Sequence, residues 1–385
     1  MPQPAWLHDV DRIRARSSGS MALIDAARAR QLDDLAFVSR LDSAGMLQRV
    51  AEFPAQFAVR PSGEELHDLE QLPPARHLWI AAMGGSAFAG EMLAAGLYVS
   101  GVETSLIRGY QLPAAARPGD WLLTISYSGN TEEALSVFDE AEARGLSRVA
   151  ITSGGALAER ARAAGVPLLM LIGGSPPRAA AGLAYAAAFE VGARLLALGT
   201  GSPEWLTDPG MLGQHLSRCA GLWGPEAPTE RNEAKQIALA LDGRLPVIYS
   251  GVGPPEAAAL RWRTQINENA KALCHTAAVP ELDHNEVVGW SGPDDFVRSA
   301  TVVFLREGEE DPGTKRRLSA TREWLEGRGV VTLLARGEGG SPLERLWWLC
   351  HLGDWVSVYL GALRGVDPTP VTAIDELKSR LKEMS

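Results

Sequence analysis

The chain has 385 residues, 46% of them hydrophobic and 22% charged, with a formal net charge of −10. That is enough apolar material for two α/β domains with cores of their own, and it excludes a disordered chain. The acidic balance and the lack of a basic block exclude nonspecific nucleic-acid binding and offer nothing to a membrane surface, so a bound anion has to be held by local donors.

Apolar runs such as 179–187 fall short of a membrane span, and the N-terminus lacks the charged-then-apolar pattern of a signal peptide. A cytoplasmic enzyme is the expectation. Cys219, Cys274 and Cys350 are widely spaced with no CxxC, which reads as free buried thiols in a reducing compartment. His275 follows Cys274, but adjacent side chains diverge on a helix, so no metal is assigned.

In chain order, residues 1–75 read as a helical extension: 22–41 and 46–59 carry apolar residues at helical spacing, and Glu64, Glu65, Asp68 and Glu70 make an acidic turn. Residues 76–200 alternate strand and helix, with strands expected at 77–82, 103–107, 121–126, 147–152 and 167–171. The pattern predicts a doubly wound parallel sheet whose ligand sits at the carboxyl ends of the strands.

Two turns of that domain stand out. In IAAMGGSAFAG, strand Leu78–Met83 is followed by Gly84 and Gly85, which let the backbone come close, and by Ser86 at a helix start. In LLTISYSGNTEEA, the apolar run 122–125 breaks at Ser126 and a helix begins near Asn130, with Ser128 and Thr131 beside it. Free N–H groups and the positive end of the dipole at a helix start, with hydroxyls around them, suit a phosphate. Serine and glycine are also ordinary turn and cap residues. Two such turns in succession, with neither a Walker lysine nor a strict GxGxxG, point to a small phosphorylated ligand rather than a nucleotide.

After the last strand comes GGSPPRAAAG, where Arg178 is either a solvated surface residue or a fixed positive charge facing the same crevice. Residues 201–240 read as a crossover, with a helix at 230–241, into a second domain over 201–385. Strands are expected there at 246–251, 301–305 and 330–335, and helices at 255–273, 313–327 and 342–362. Two halves of similar plan suggest an internal duplication; only the first has a SYSGNT turn, and the GVGPPEA turn has prolines where a dinucleotide fingerprint needs its third glycine. Between 267 and 286 the second half concentrates Glu268, His284 and Glu286 with Asn267, Asn269 and Asn285. Glu268 and Lys271 at helical spacing are alternatively an exposed ion pair, and His284 a solvated loop residue. A carboxylate and a histidine are also what proton transfer beside a carbonyl requires.

MGGSAFAG, SYSGNTEE, PPRAA, ERNEAKQIA, RWRTQINENAK, HNEVVGW and VDPTPVTAIDELK, in this order from residue 76 to the C-terminus, resemble the motifs of the bifunctional phosphoglucose/phosphomannose isomerase family, within the sugar isomerase (SIS) fold superfamily. The resemblance implies two SIS-type domains and interconversion of glucose 6-phosphate and mannose 6-phosphate with fructose 6-phosphate through a cis-enediol, without cofactor or metal. It implies that Gly84, Gly85, Ser86, Ser126, Ser128 and Thr131 bind the phosphate and that Glu268 is the base. Arg178 would stabilise the enediolate, His284 would assist ring opening with Lys378 as its partner, and a threonine ahead of that lysine, Thr369 or Thr372, would leave room near C2. The family is typically dimeric, with the histidine reaching the neighbouring subunit's site. A non-catalytic sugar-phosphate sensor of this fold has no use for Glu268, Arg178, His284 and Lys378 together. An aminosugar synthase needs an early cysteine nucleophile, and a zinc-dependent isomerase needs a ligand cluster; the sequence offers neither.

Overall fold

The computed structural model describes residues 26–200 and 205–384. Its first sheet has five strands, β1 (His77–Ala82), β2 (Glu103–Ile107), β3 (Trp121–Ile125), β4 (Ser147–Thr152) and β5 (Leu168–Met170), in the order β2-β1-β3-β4-β5. The second has β6 (Leu245–Gly251), β7 (His275–Val279), β8 (Ala300–Arg306) and β9 (Val331–Arg336), in the order β7-β6-β8-β9. Every ladder is parallel. Helices cover both faces of such sheets, so the central strands are apolar throughout: Trp121, Leu122, Leu123 and Ile125 are all fully buried. The second sheet repeats the order of the first four strands of the other, as a duplication would leave it.

The expected strands are found, and β7 is an addition. The sequence pattern predicts no strand over 271–279 and puts His275 on a helix; instead the Pro254–Ala270 helix stops at Lys271, which takes the left-handed conformation at φ 50°, and the chain turns into an edge strand. The alanine-rich HTAAV carries little β-propensity, which is why it reads as the tail of the helix. His275 Nε2 lies 2.9 Å from Glu286 Oε2.

Two helices join the halves. All of Pro342–Leu363 except Pro342 and Glu344 is buried, as expected for a helix apolar on every side. It packs on Pro254–Ala270 through a buried ion pair, Arg261 Nη2 to Asp354 Oδ2 at 2.9 Å, with Gln265 Nε2 donating to Asp354 Oδ1 at 2.6 Å. The Ala181–Leu195 helix is, with its extension to Leu198, long and apolar enough to cross a membrane by composition, but Ala181, Tyr185 and Ala188 are fully buried in the core.

The N-terminal part is helical as expected: Ala26–Asp33, Leu35–Leu41, Met46–Glu52 and a 3₁₀ turn, Phe53–Ala58. The start of the helix expected from residue 22 lies outside the described residues. Asp34 interrupts the first run by capping the second helix, accepting from Ala36 and Phe37 N–H. The acidic turn is instead a helix, Gly63–Glu70, closed by a capping box between Ser62 and Glu65. Phe53 and Phe57 dock on Trp347, with ring centroids 5.8 and 4.8 Å away, so this part is built into the main core.

One core group gives a stability prediction. Glu91, in the Gly84–Leu97 helix, is 7% exposed and paired with Arg108, and its Oε2 has no partner among the described residues. Burial pushes its pKa from 4.5 up to about 7, against the pull of Arg108 and Arg263. The folded protein therefore holds this proton more tightly than the unfolded chain. Stability present below pH 4.5 is lost as pH rises through about 7. Urea midpoints of Glu91→Gln at pH 5 and pH 8 should lack that part of the wild-type decline, about 2–3 kcal/mol.

Candidate active site

The two serine and glycine turns lie side by side because β1 and β3 are adjacent parallel strands. Ser86 Oγ, 7% exposed, accepts the N–H of Tyr127 at 3.0 Å, which ties the first turn to the second. Ser126 Oγ is buried and 2.9 Å from Thr131 Oγ1, while Ser128 is exposed. The Gly84–Leu97 helix has no side-chain cap, and neither does Glu132–Ala143, whose N-cap Thr131 directs its hydroxyl to Ser126. The open N–H groups of both helix starts thus remain for an anion.

Arg178 stands next to this cradle. A Cβ on Gly85 would fall 2.7 Å from the Arg178 backbone nitrogen, so the glycine is what lets the first turn touch the PPRAA turn. Arg178 is no solvated surface residue: it is 4% exposed and every arm of its guanidinium is engaged. Nε donates to Asn269 Oδ1 at 2.8 Å, Nη1 to Glu268 Oε2 at 3.1 Å, and Nη2 to the carbonyls of Pro368 and Thr369 at 2.8 and 2.9 Å. Burial pulls its pKa below the usual value, with Glu268 opposing. A fork fixed at all three nitrogens has no freedom to follow a ligand, which makes it a static positive charge.

Glu268 does not form the intrahelical pair with Lys271 that its spacing allowed. Its Oε2 goes to Arg178, and Oε1 has no hydrogen bond among the described residues. Lys271 Nζ donates instead to the carbonyls of Glu268 and Pro368, at 2.7 and 2.9 Å. The candidate site is therefore a seam: the two serine and glycine turns from the first half, Glu268 from the second, and Arg178 linking them through the 368–369 loop. Asn269 and the two carbonyls went unassigned. Asn269 is fully buried and also donates to Ser357 Oγ at 2.9 Å; an asparagine beside a glutamate on a helix was the available signal.

His284 and Lys378 sit on other elements, a short turn and the C-terminal helix. His284 is exposed, in a turn braced on one side by Asp283, which accepts from Arg317 Nη1 and Thr321 Oγ1, and on the other by Glu286, which accepts from Tyr249 OH at 2.5 Å. Lys378 rides on Thr372–Met384, a helix with no buried residue. Neither bonds to Glu268 or Arg178 among the described residues. Of the two threonines, Thr369 has a buried Oγ1 without a partner among the described residues and a carbonyl on Arg178, while Thr372 is exposed at the helix start.

Residues 230–381 match the bacterial phospho-glucose isomerase C-terminal SIS domain, a span that contains Glu268, His284 and Lys378. The bifunctional phosphoglucose/phosphomannose isomerase of Aquifex aeolicus is 36% identical over 82% of this chain and 93% of its own. The chain belongs to that family. The bifunctional phosphoglucose/phosphomannose isomerase of Caldicellulosiruptor bescii is likewise 36% identical, over 79% of this chain and 89% of its own. A glucose-6-phosphate isomerase like protein from Thermus thermophilus superposes with a TM-score of 0.61 at 21% identity, covering 90% of this chain and 98% of that one. That likeness speaks for the fold. Membership of the phosphoglucose/phosphomannose isomerase family makes the chain a sugar-phosphate isomerase, and the catalytic reading prevails over the sensor.

Proposed function

We propose that the chain interconverts glucose 6-phosphate and mannose 6-phosphate with fructose 6-phosphate through a cis-enediol. The observation that carries this reading is the buried Arg178 held against Glu268 at 3.1 Å, beside two uncapped helix starts. A sensor needs only the helix starts. The turns with Gly84, Gly85, Ser86, Ser126, Ser128 and Thr131 hold the phosphate and so set the register of the sugar. Glu268 moves the proton between C1 and C2 with the carboxylate oxygen that Arg178 leaves free. The guanidinium meets the charge that develops on the enediolate. C2 has no stereocentre in the enediol, so return of the proton to either face yields glucose or mannose 6-phosphate. Thr369 is the threonine that faces C2; its carbonyl on Arg178 Nη2 and its buried Oγ1, unpartnered among the described residues, support it over Thr372.

The working unit is a cytoplasmic homodimer in which His284, paired with Lys378, opens the sugar ring in a neighbouring copy's site. Its support is the exposure of His284 on a braced turn, and the exposed Ile374, Leu377 and Leu381 of the Lys378 helix, an apolar stripe suited to a second copy.

The test is fructose 6-phosphate formation from each aldose phosphate separately, with and without EDTA. Both substrates should turn over, and EDTA should leave the rates unchanged. No turnover of either overturns the reading, and loss with EDTA overturns the metal-free mechanism.

A further inference from the structure

The Ala181–Leu195 helix, which follows the turn carrying Arg178, has no side-chain cap of its own: Ala180 occupies the cap position. Its second and third N–H groups, from Gly182 and Leu183, are the donors a capping side chain ordinarily takes. Here both go to Gln56 Oε1, at 3.1 and 3.2 Å, from an element more than a hundred residues away. The same amide donates through Nε2 to the carbonyl of Ala179 at 2.6 Å, one residue past Arg178. Gly182 is what admits it, since a Cβ there would meet Gln56 Cβ at 2.9 Å. Gln56 is itself held on the 3₁₀ turn Phe53–Ala58, whose Phe53 and Phe57 are sunk in the aromatic core.

The other end of the turn is gripped as well. Arg49 Nη1 donates to Ser175 Oγ at 2.7 Å, and Ser175 N–H donates to the hydroxyl of Tyr127, from the second phosphate turn, at 3.1 Å. We propose that Gln56 is a positioning residue for Arg178: the N-terminal extension caps the arginine's turn from outside and fixes where its guanidinium stands relative to the phosphate cradle. The inference rests on the isomerase reading, in which Arg178 acts on the enediolate. It gives the extension a part in the chemistry that it does not touch directly.

Gln56→Glu separates the two halves of the contact. A carboxylate still accepts from Gly182 and Leu183, and its charge suits the helix start. It cannot donate to Ala179, and it repels that carbonyl. The expected result is an unchanged melting temperature and an unchanged KM for the sugar phosphate, with kcat down about ten- to a hundredfold, the scale of a small misplacement of a catalytic group. Affinity for a phosphorylated aldonic acid, whose carboxylate mimics the enediolate, should fall in parallel while inhibition by inorganic phosphate stays constant. Gln56→Met, which loses both bonds, should show the same loss of kcat and melt lower. A Gln56→Glu protein with wild-type kcat and wild-type affinity for the aldonic acid overturns the inference, and so does an equal loss in affinity for inorganic phosphate. A wild-type protein with no isomerase activity overturns the parent reading instead.

Discussion

Glu268→Gln should lower kcat for both aldose phosphates by about two to four orders of magnitude, the usual contribution of a positioned proton-transfer group. The amide has the shape of the carboxylate and its oxygen still accepts from Arg178, but it cannot take the C2 proton. Sugar-phosphate binding should stay near normal, because the cradle lies on other elements, so the loss should fall on kcat rather than KM. A second consequence follows from the burial of Arg178. The arginine keeps its bonds to Asn269 and to the Pro368 and Thr369 carbonyls but loses its counter-charge, so the variant should also melt somewhat below the wild type. Turnover above a few per cent of wild type places the base on another carboxylate. Glucose and mannose 6-phosphate must fall together, since one base serves both through one enediol.

The parts of the site legible in the sequence were those written as local patterns. A buried strand followed by small residues and an amphipathic run marks both strand-turn-helix units, and β1, β3 and the two helix starts stand where those patterns put them. Contacts to backbone carbonyls leave no such trace. Nothing in the residue types of Pro368 or Thr369 says that their oxygens hold an arginine 190 and 191 positions earlier. The cap on the Ala181–Leu195 helix was hidden for the same reason, because Gln56 supplies it across a sequence gap that local capping rules do not span. The Gly63–Glu70 helix, by contrast, is written locally: Ser62 with Glu65 three residues on is a capping-box signature, although its run of acidic residues also fits an exposed turn. The residue cluster at 267–286 marks His284 for proton transfer, but its ring-opening role and its pairing with Lys378 rest on family resemblance, and a single chain leaves both exposed.

Gly85→Ala should damage binding and chemistry together. The added Cβ would stand 2.7 Å from Arg178 N, 2.8 Å from Pro177 C and 2.9 Å from Arg178 Cα, all backbone atoms with no flexible end to swing aside. Either the Gly84–Leu97 helix start retreats from the PPRAA turn or the turn retreats from it. The first displaces the N–H groups proposed to receive the phosphate; the second pulls the guanidinium from Glu268, since the fork is held at every nitrogen and moves only with its backbone. Overpacking of this kind costs about 1–3 kcal/mol, and kcat/KM should fall by about a hundredfold or more, with KM and kcat both affected. Gly84→Ala is the matched control. Gly84 sits at φ 52°, where a side chain costs about 1–2 kcal/mol, but its Cβ would meet nothing within 4 Å. It should lose comparable stability and keep its kcat, with any loss of activity confined to KM, because Gly84 belongs to the cradle and a Cβ there would not reach the arginine's turn. Equal activity losses in the two variants would mean that backbone strain in the first turn, rather than its contact with the arginine's turn, governs the site. A Gly85→Ala enzyme with wild-type kcat/KM would show that the cradle and Arg178 are not mechanically coupled.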